Sequence, residues 1–169
     1  LRAALNALYD AAAWLAAAMM IGVLAMVLIG VAGRQFNFYL AGTDAYAGYL
    51  MAGCGFLALA HTFKRSEHIR VTLLLQMFTG ARRHALEVWS LLVATLLTAV
   101  LAYYSVRLVW QSHLFNDIST SNDATPLWLP QLGMALGTLV LLVAVIDDLV
   151  LELSGNRRAV GPAEAGRVE

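Results

Sequence analysis

Few residues in this chain have the types and spacing to do chemistry. Its four histidines are His61, His68, His84 and His113, and its only cysteine is Cys54. Haem ligation needs two histidines on facing helices at membrane depth. Only His61 falls near an apolar stretch. Zinc needs an HExxH or paired cysteines, and neither occurs. One cysteine allows no intrachain disulfide. Cys54 lies between Gly53 and Gly55, where it serves as a small packing residue. Asp147 and Asp148 are adjacent, so a helix points them in different directions rather than pairing them. They are expected at the solvated inner end of a helix. No Ser, His and acid set comes within plausible reach. These residues predict no catalysis, no cofactor and no metal site.

The elements around them explain why. The chain of 169 residues is 60% hydrophobic and 13% charged, with a mean hydropathy of +0.71. A soluble domain carries about 25% charged residues. Four stretches, 11–33, 45–63, 88–106 and 124–146, hold no Asp, Glu, Lys or Arg. Each is long enough as a helix to cross a hydrocarbon core of about 30 Å. The predicted fold is all-α and integral to a membrane, with four transmembrane helices. The first stretch ends in Arg34-Gln35-Phe36 rather than a small-residue cleavage site, so it is expected to be retained. Net charge is zero, which gives no surface for nucleic acid.

Basic residues orient the spans. Arg2, Lys64, Arg65, Arg70, Arg82, Arg83, Arg157, Arg158 and Arg167 fall on the side that holds both termini and the second loop, against Arg34 and Arg107 on the other. The positive-inside rule puts both termini in the cytoplasm. Tyr and Trp residues cluster at the span edges, at headgroup level.

The second loop is patterned. Thr72, Gln76, Thr79 and Arg83 form one polar stripe among Leu74, Leu75, Met77 and Phe78. That predicts an amphipathic interfacial helix over about 69–83. The third loop is rich in Asn, Asp, Ser and Thr. Thr125-Pro126 then predicts a helix start, with Thr125 as N-cap and Pro126 at the first helical position. Pro130 removes a further backbone donor, so the helix bends there or becomes regular after it. The four-helix domain is expected over 1–153 and a disordered cytoplasmic tail over 154–169. Small residues repeat at four: Gly133 and Gly137, Ala94, Thr98 and Ala102, and Gly48 and Ala52. Such rows let helices approach, within the chain or against a partner.

Ion-coupled carriers need ionisable groups at membrane depth and broken helices at the midplane. Apart from His61 near the inner end of the second span, the spans have neither. An accessory or scaffolding subunit is the functional class that remains. A membrane anchor of a redox enzyme is the alternative, on His61 and the four-span size.

Several local motifs are similar to one family. Gly33-Arg34-Gln35-Phe36 resembles its Gly-Arg-aromatic ending of span one. Thr43-Asp44 stands for its acidic residue before span two. Lys64-Arg65-Ser66-Glu67-His68-Ile69-Arg70-Val71 resembles its basic-x-x-x-His-Ile-x-Val segment. Thr125-Pro126-Leu127-Trp128-Leu129-Pro130 resembles its Pro-x-Trp-x-Pro start of span four, and Gly137 its later glycine. Taken in order over about 10–153, the chain resembles the small membrane subunit of TRAP (tripartite ATP-independent periplasmic) transporters, the DctQ type. It departs in having Ala41-Gly42 where a Trp is usual, one carboxylate instead of two, and Thr72 where Asp often stands.

The resemblance implies a bacterial inner-membrane importer of small organic anions, often carboxylates, driven by a sodium gradient. A periplasmic substrate-binding protein delivers the anion and a large multi-span permease subunit moves it. The small subunit would brace the scaffold of the large one, with no catalytic, cofactor or metal residues of its own. Residues expected to contact partners or lipid are Arg34, Asp44, His68, Arg70, Trp128, Pro130, Gly133 and Gly137.

Overall fold

A computed structural model describes residues 2–38, 40–64, 81–120 and 123–154, without the side chains of 81–83. It contains four helices: α1, Arg2–Gln35; α2, Thr43–Lys64; α3, Ala81–Leu114; and α4, Trp128–Leu153. The chain is an all-α membrane protein. Helices α1, α3 (from His84) and α4 are each long and apolar enough to cross a membrane. Helix α2 has 22 residues, with Tyr46, Tyr49, His61 and Thr62 diluting its apolar content.

The helices outrun the charge-free stretches. Helices α1 and α3 have 34 residues each, about 50 Å at the helical rise. A helix does not stop where hydrocarbon stops, because its backbone bonds are satisfied internally in water as in lipid. The ends are set by local chemistry. After α1, Asn37 takes a left-handed φ of 56° and the Phe38 N–H reaches back 3.0 Å to the Gly33 carbonyl. After α3, Asn116 takes φ 51° and the Asp117 N–H reaches the Ser112 carbonyl at 3.0 Å. Both are Schellman-type stops, with Asn in place of the usual glycine.

The start of α4 differs from expectation. Thr125 is not its N-cap, and Pro126 lies outside the helix. The cap position is Leu127, without a side-chain hydrogen bond. The Thr125 carbonyl is held by the Ser119 N–H at 2.8 Å, and its hydroxyl bonds Tyr46 at 2.9 Å. An antiparallel bridge joins Ile118 to Pro126, and the Leu127 N–H donates to the Asp117 carbonyl at 2.9 Å. The third loop therefore closes as a small hairpin before the helix begins. Pro130 sits in the first helical turn, where its missing N–H leaves no bond unmade.

The helices stand as an open row in the order α1, α2, α4, α3. Contacts run between neighbours in that row, and α1 meets α4 only slightly. The α2–α4 seam brings backbone against backbone. A Cβ on Gly133 would lie 3.1 Å from the Gly53 Cα, and one on Gly137 would lie 2.5 Å from the Phe56 carbonyl carbon. These small residues bring two backbones together where lipid supplies no hydrophobic drive. Tyr9, Ala60, Leu141, Ala144 and Val145 form one buried cluster; Ala12, Ala16, Cys54 and Leu57 form a second. The outward face of α4 is aliphatic along its length at alternating steps of three and four, from Leu129 and Leu132 through Leu136 and Leu139 to Val150 and Leu153, all exposed.

Candidate functional site

Polar side chains gather at the two ends of the row. At the end away from the termini, the close of α1 and the opening of α2 flank a cleft of about 350 Å³. Arg34, Asn37, Thr43 and Asp44 line it together with Ile29, Phe38 and Leu40. Two glycines keep it open. A Cβ on Gly33 would lie 2.7 Å from the Phe38 carbonyl oxygen, and one on Gly30 would lie 3.3 Å from Thr43 Oγ1. Arg34 and Asp44 share this cleft, yet among the described residues neither makes an ion pair or a side-chain hydrogen bond.

Beside it, α2 is clasped to the third loop. Gly42, at φ 83°, packs so closely on Asp123 that a Cβ there would fall 2.6 Å from the Asp123 Cβ. The Tyr49 hydroxyl donates to Ser119 Oγ at 2.8 Å, next to the Tyr46–Thr125 contact. Both Asp123 carboxylate oxygens are closed off, and among the described residues no donor meets them in strict hydrogen-bond geometry. Looser contacts from the Thr125 hydroxyl, then Ser119 and Tyr49, hold the Asp123 acid below the usual carboxylate range against a smaller opposing push from desolvation. Trp128 lies edge-on to His113, with ring centroids 5.4 Å apart, and ties the start of α4 to the end of α3. Gly133 and Gly137 face α2 within the chain.

The end that carries the termini holds a second polar group. Lys64 on α2 pairs with Asp147 on α4 and lies 3.2 Å from Asp148. Its ammonium also sits 5.5 Å from the centre of the Tyr9 ring on α1. His84 on α3 meets Glu152 on α4 at 2.9 Å, and His61 stands 3.7 Å from Asp10. Asp147 and Asp148 are therefore not the solvated helix end that their adjacency suggested. They are joined to α2, and Asp148 is buried at 8% exposure. The cause is Lys64: a cation at the same depth offsets the desolvation of both acids.

These contacts bind the helices to one another. Among the described residues, no three His, Cys, Asp or Glu side chains converge as a metal site. His68 and Arg70 lie outside the described residues, as does the expected interfacial helix up to residue 80. Residues 81–83, assigned to that helix from the sequence, form the start of α3. The Lys64–Asp147–Asp148 group was not singled out from the sequence. A signal was available: Lys64 closes the second charge-free stretch and Asp147 closes the fourth, so both must reach the same membrane face.

The family model described as tripartite ATP-independent periplasmic transporters, DctQ component, matches residues 23–155. No curated protein matches the chain significantly.

Proposed function

The chain belongs to the DctQ family, the small membrane component of tripartite ATP-independent periplasmic transporters, and from that premise we propose that it braces the scaffold of the large permease subunit in a sodium-driven importer of small organic anions, carboxylates among them. The observation that carries this reading is the open row. The stretches between its two polar ends hold no Asp, Glu, Lys or Arg, and among the described residues long apolar helix faces along α4 and α3 are exposed to a neighbour. A row of helices with both ends tied by polar contacts is a stiff support. It is a poor carrier on its own, because substrate and coupling ions need ionisable groups at membrane depth.

In this reading all four helices cross the bacterial inner membrane, with α2 sheltered between α1 and α4. The four-helix domain occupies 1–153, and both termini and the tail from 154 are cytoplasmic. The nine-to-two bias of basic residues supports that orientation. His68 and Arg70 anchor the connecting segment at the cytoplasmic face, against headgroups or the large subunit. Trp128 and Pro130 shape the periplasmic start of α4, where the substrate-binding protein docks. Arg34 and Asp44 lie at the same face.

Co-purification tests the assignment. A tagged copy in its native membrane is expected to carry a large multi-span subunit with it, and its deletion is expected to abolish uptake. A chain recovered alone, with uptake intact after deletion, overturns the proposal. Within the complex, Arg70→Glu is expected to lower the yield of assembled transporter more than Arg157→Glu in the tail. Equal yields would remove Arg70 from the contact.

A further inference from the structure

We propose that the cleft between α1 and α2 is a headgroup site for a phospholipid bearing a primary amine, phosphatidylethanolamine, with the phosphate on Arg34 and the ammonium on Asp44. The argument begins with two opposite charges that fail to meet. Arg34 and Asp44 line one cleft of about 350 Å³ and pair neither with each other nor with another described residue. Charges of opposite sign that line one cleft without pairing suit a zwitterion whose own charges are separated by a short linker. The volume lies at the small end of ligand clefts, about 300–1,000 Å³.

Depth and wall chemistry favour a lipid over a soluble ligand. Arg34 and Asp44 stand where the first charge-free stretch ends and the second begins, at the level of headgroups. Ile29, Phe38 and Leu40 give the cleft an apolar side. Arg suits the phosphate, since its planar fork donates two parallel hydrogen bonds.

The acceptors select the amine. Asp44, Asn37 and Thr43 line the cleft, and their carboxylate, amide and hydroxyl oxygens are of the kind that accepts hydrogen bonds. A primary ammonium has three N–H donors for them. A trimethylammonium has none, and is recognised instead by a cage of aromatic rings. Phe38 is the one aromatic side chain among the described lining residues. The cleft is also built rather than left over. Asn37 holds the left-handed stop of α1 that turns Phe38 back over Gly33, and the absent side chains of Gly30 and Gly33 provide the space. This inference rests on membrane residence and not on the transport role, so either can fail without the other.

The test is native mass spectrometry of the full chain with phosphatidylethanolamine, phosphatidylcholine and phosphatidylglycerol of matched acyl chains. Wild type is expected to retain phosphatidylethanolamine at least tenfold better than phosphatidylcholine, with phosphatidylglycerol between them. Arg34→Gln is expected to lose both phosphatidylethanolamine and phosphatidylglycerol. Asp44→Asn is expected to lose only the preference for the amine. Both side chains are exposed and unpaired among the described residues, so the helical circular dichroism signal should be unchanged in each variant, which keeps a negative result meaningful. Free phosphoethanolamine at millimolar concentration should not displace the lipid, and displacement would mean a soluble phosphate site instead. Equal retention of the three lipids, or retention unaffected by both substitutions, overturns the proposal. So does a loss of the large subunit from both variants with lipid retention unchanged, which would mark the cleft as a protein contact.

Discussion

Gly137 of α4 lies against the backbone of Phe56 of α2, where an added Cβ would fall 2.5 Å from the carbonyl carbon and 2.6 Å from its oxygen. The obstacle is main chain, which cannot swing aside as a side-chain tip can. Gly137→Ala should therefore push α2 and α4 apart and destabilise the protein by about 2 kcal/mol or more, the range for overpacking a tight interior. Gly48→Ala and Gly55→Ala are the controls, because nothing lies within 4 Å of either added Cβ. Thermal unfolding of the purified chain followed by size exclusion checks this. A Gly137→Ala midpoint equal to that of Gly48→Ala would show that the seam is looser than its geometry.

Lys64 holds two acids that are mostly removed from solvent, with side-chain exposures of 18% for Asp147 and 12% for Asp148. Removing the cation leaves both carboxylates desolvated and close together. Lys64→Met should destabilise by about 3 kcal/mol, as for breaking a buried pair. Adding Asp147→Asn to Lys64→Met should recover part of that loss, since one uncompensated charge is removed. The double variant is expected to melt above the single one. A further fall would mean that Lys64 acts through packing of its stem alone.

Much of this fold is visible in the pattern of charge. The charge-free stretches mark the four helices because hydrocarbon excludes ionised groups, and GxxxG in α4 marks a helix contact because only small residues permit one. Which helix it meets is a different matter. Gly133 and Gly137 face Gly53 and Phe56, and no spacing rule names a partner across 80 residues of chain. The hairpin before α4 was hidden for a related reason. Thr125 has the chemistry of an N-cap, but Tyr46 and Ser119 compete for its hydroxyl and carbonyl, and those contacts are tertiary. Arg34 and Asp44 were identifiable as loop charges, whereas their shared, unpaired placement in one cleft depends on the glycines and the left-handed Asn37 between them.

Asp123 gives the clasp between α2 and the third loop a pH dependence. Hydroxyls of Thr125, Ser119 and Tyr49 hold its acid below the ordinary value of 3.8. A carboxyl depressed on folding contributes stability that is fully present above the unfolded value and lost as pH falls through the folded one. Wild type should therefore exceed Asp123→Asn in melting temperature at pH 7, and the gap should narrow as pH drops below 3.8. A gap that stays constant across this range would assign the role of Asp123 to shape rather than charge.

Tyr9 offers the sharpest separation of packing from polarity. Its ring is buried at 3% exposure in the cluster with Ala60, Leu141, Ala144 and Val145, beneath the Lys64 ammonium. Its hydroxyl is enclosed there with no hydrogen-bond partner among the described residues. A buried polar group without a partner destabilises by about 1–3 kcal/mol relative to one that is paired, so deleting it is close to neutral or favourable. Tyr9→Phe keeps the ring and its attraction for the cation, and should leave stability unchanged or raise it by about 1 kcal/mol. Tyr9→Ala removes the ring from between α1, α2 and α4 and should lower stability by about 3 kcal/mol. Denaturation of the two variants side by side in the same detergent decides the matter. A Tyr9→Phe variant as unstable as Tyr9→Ala would mean that the hydroxyl has a partner in the membrane, and that the site is polar by need.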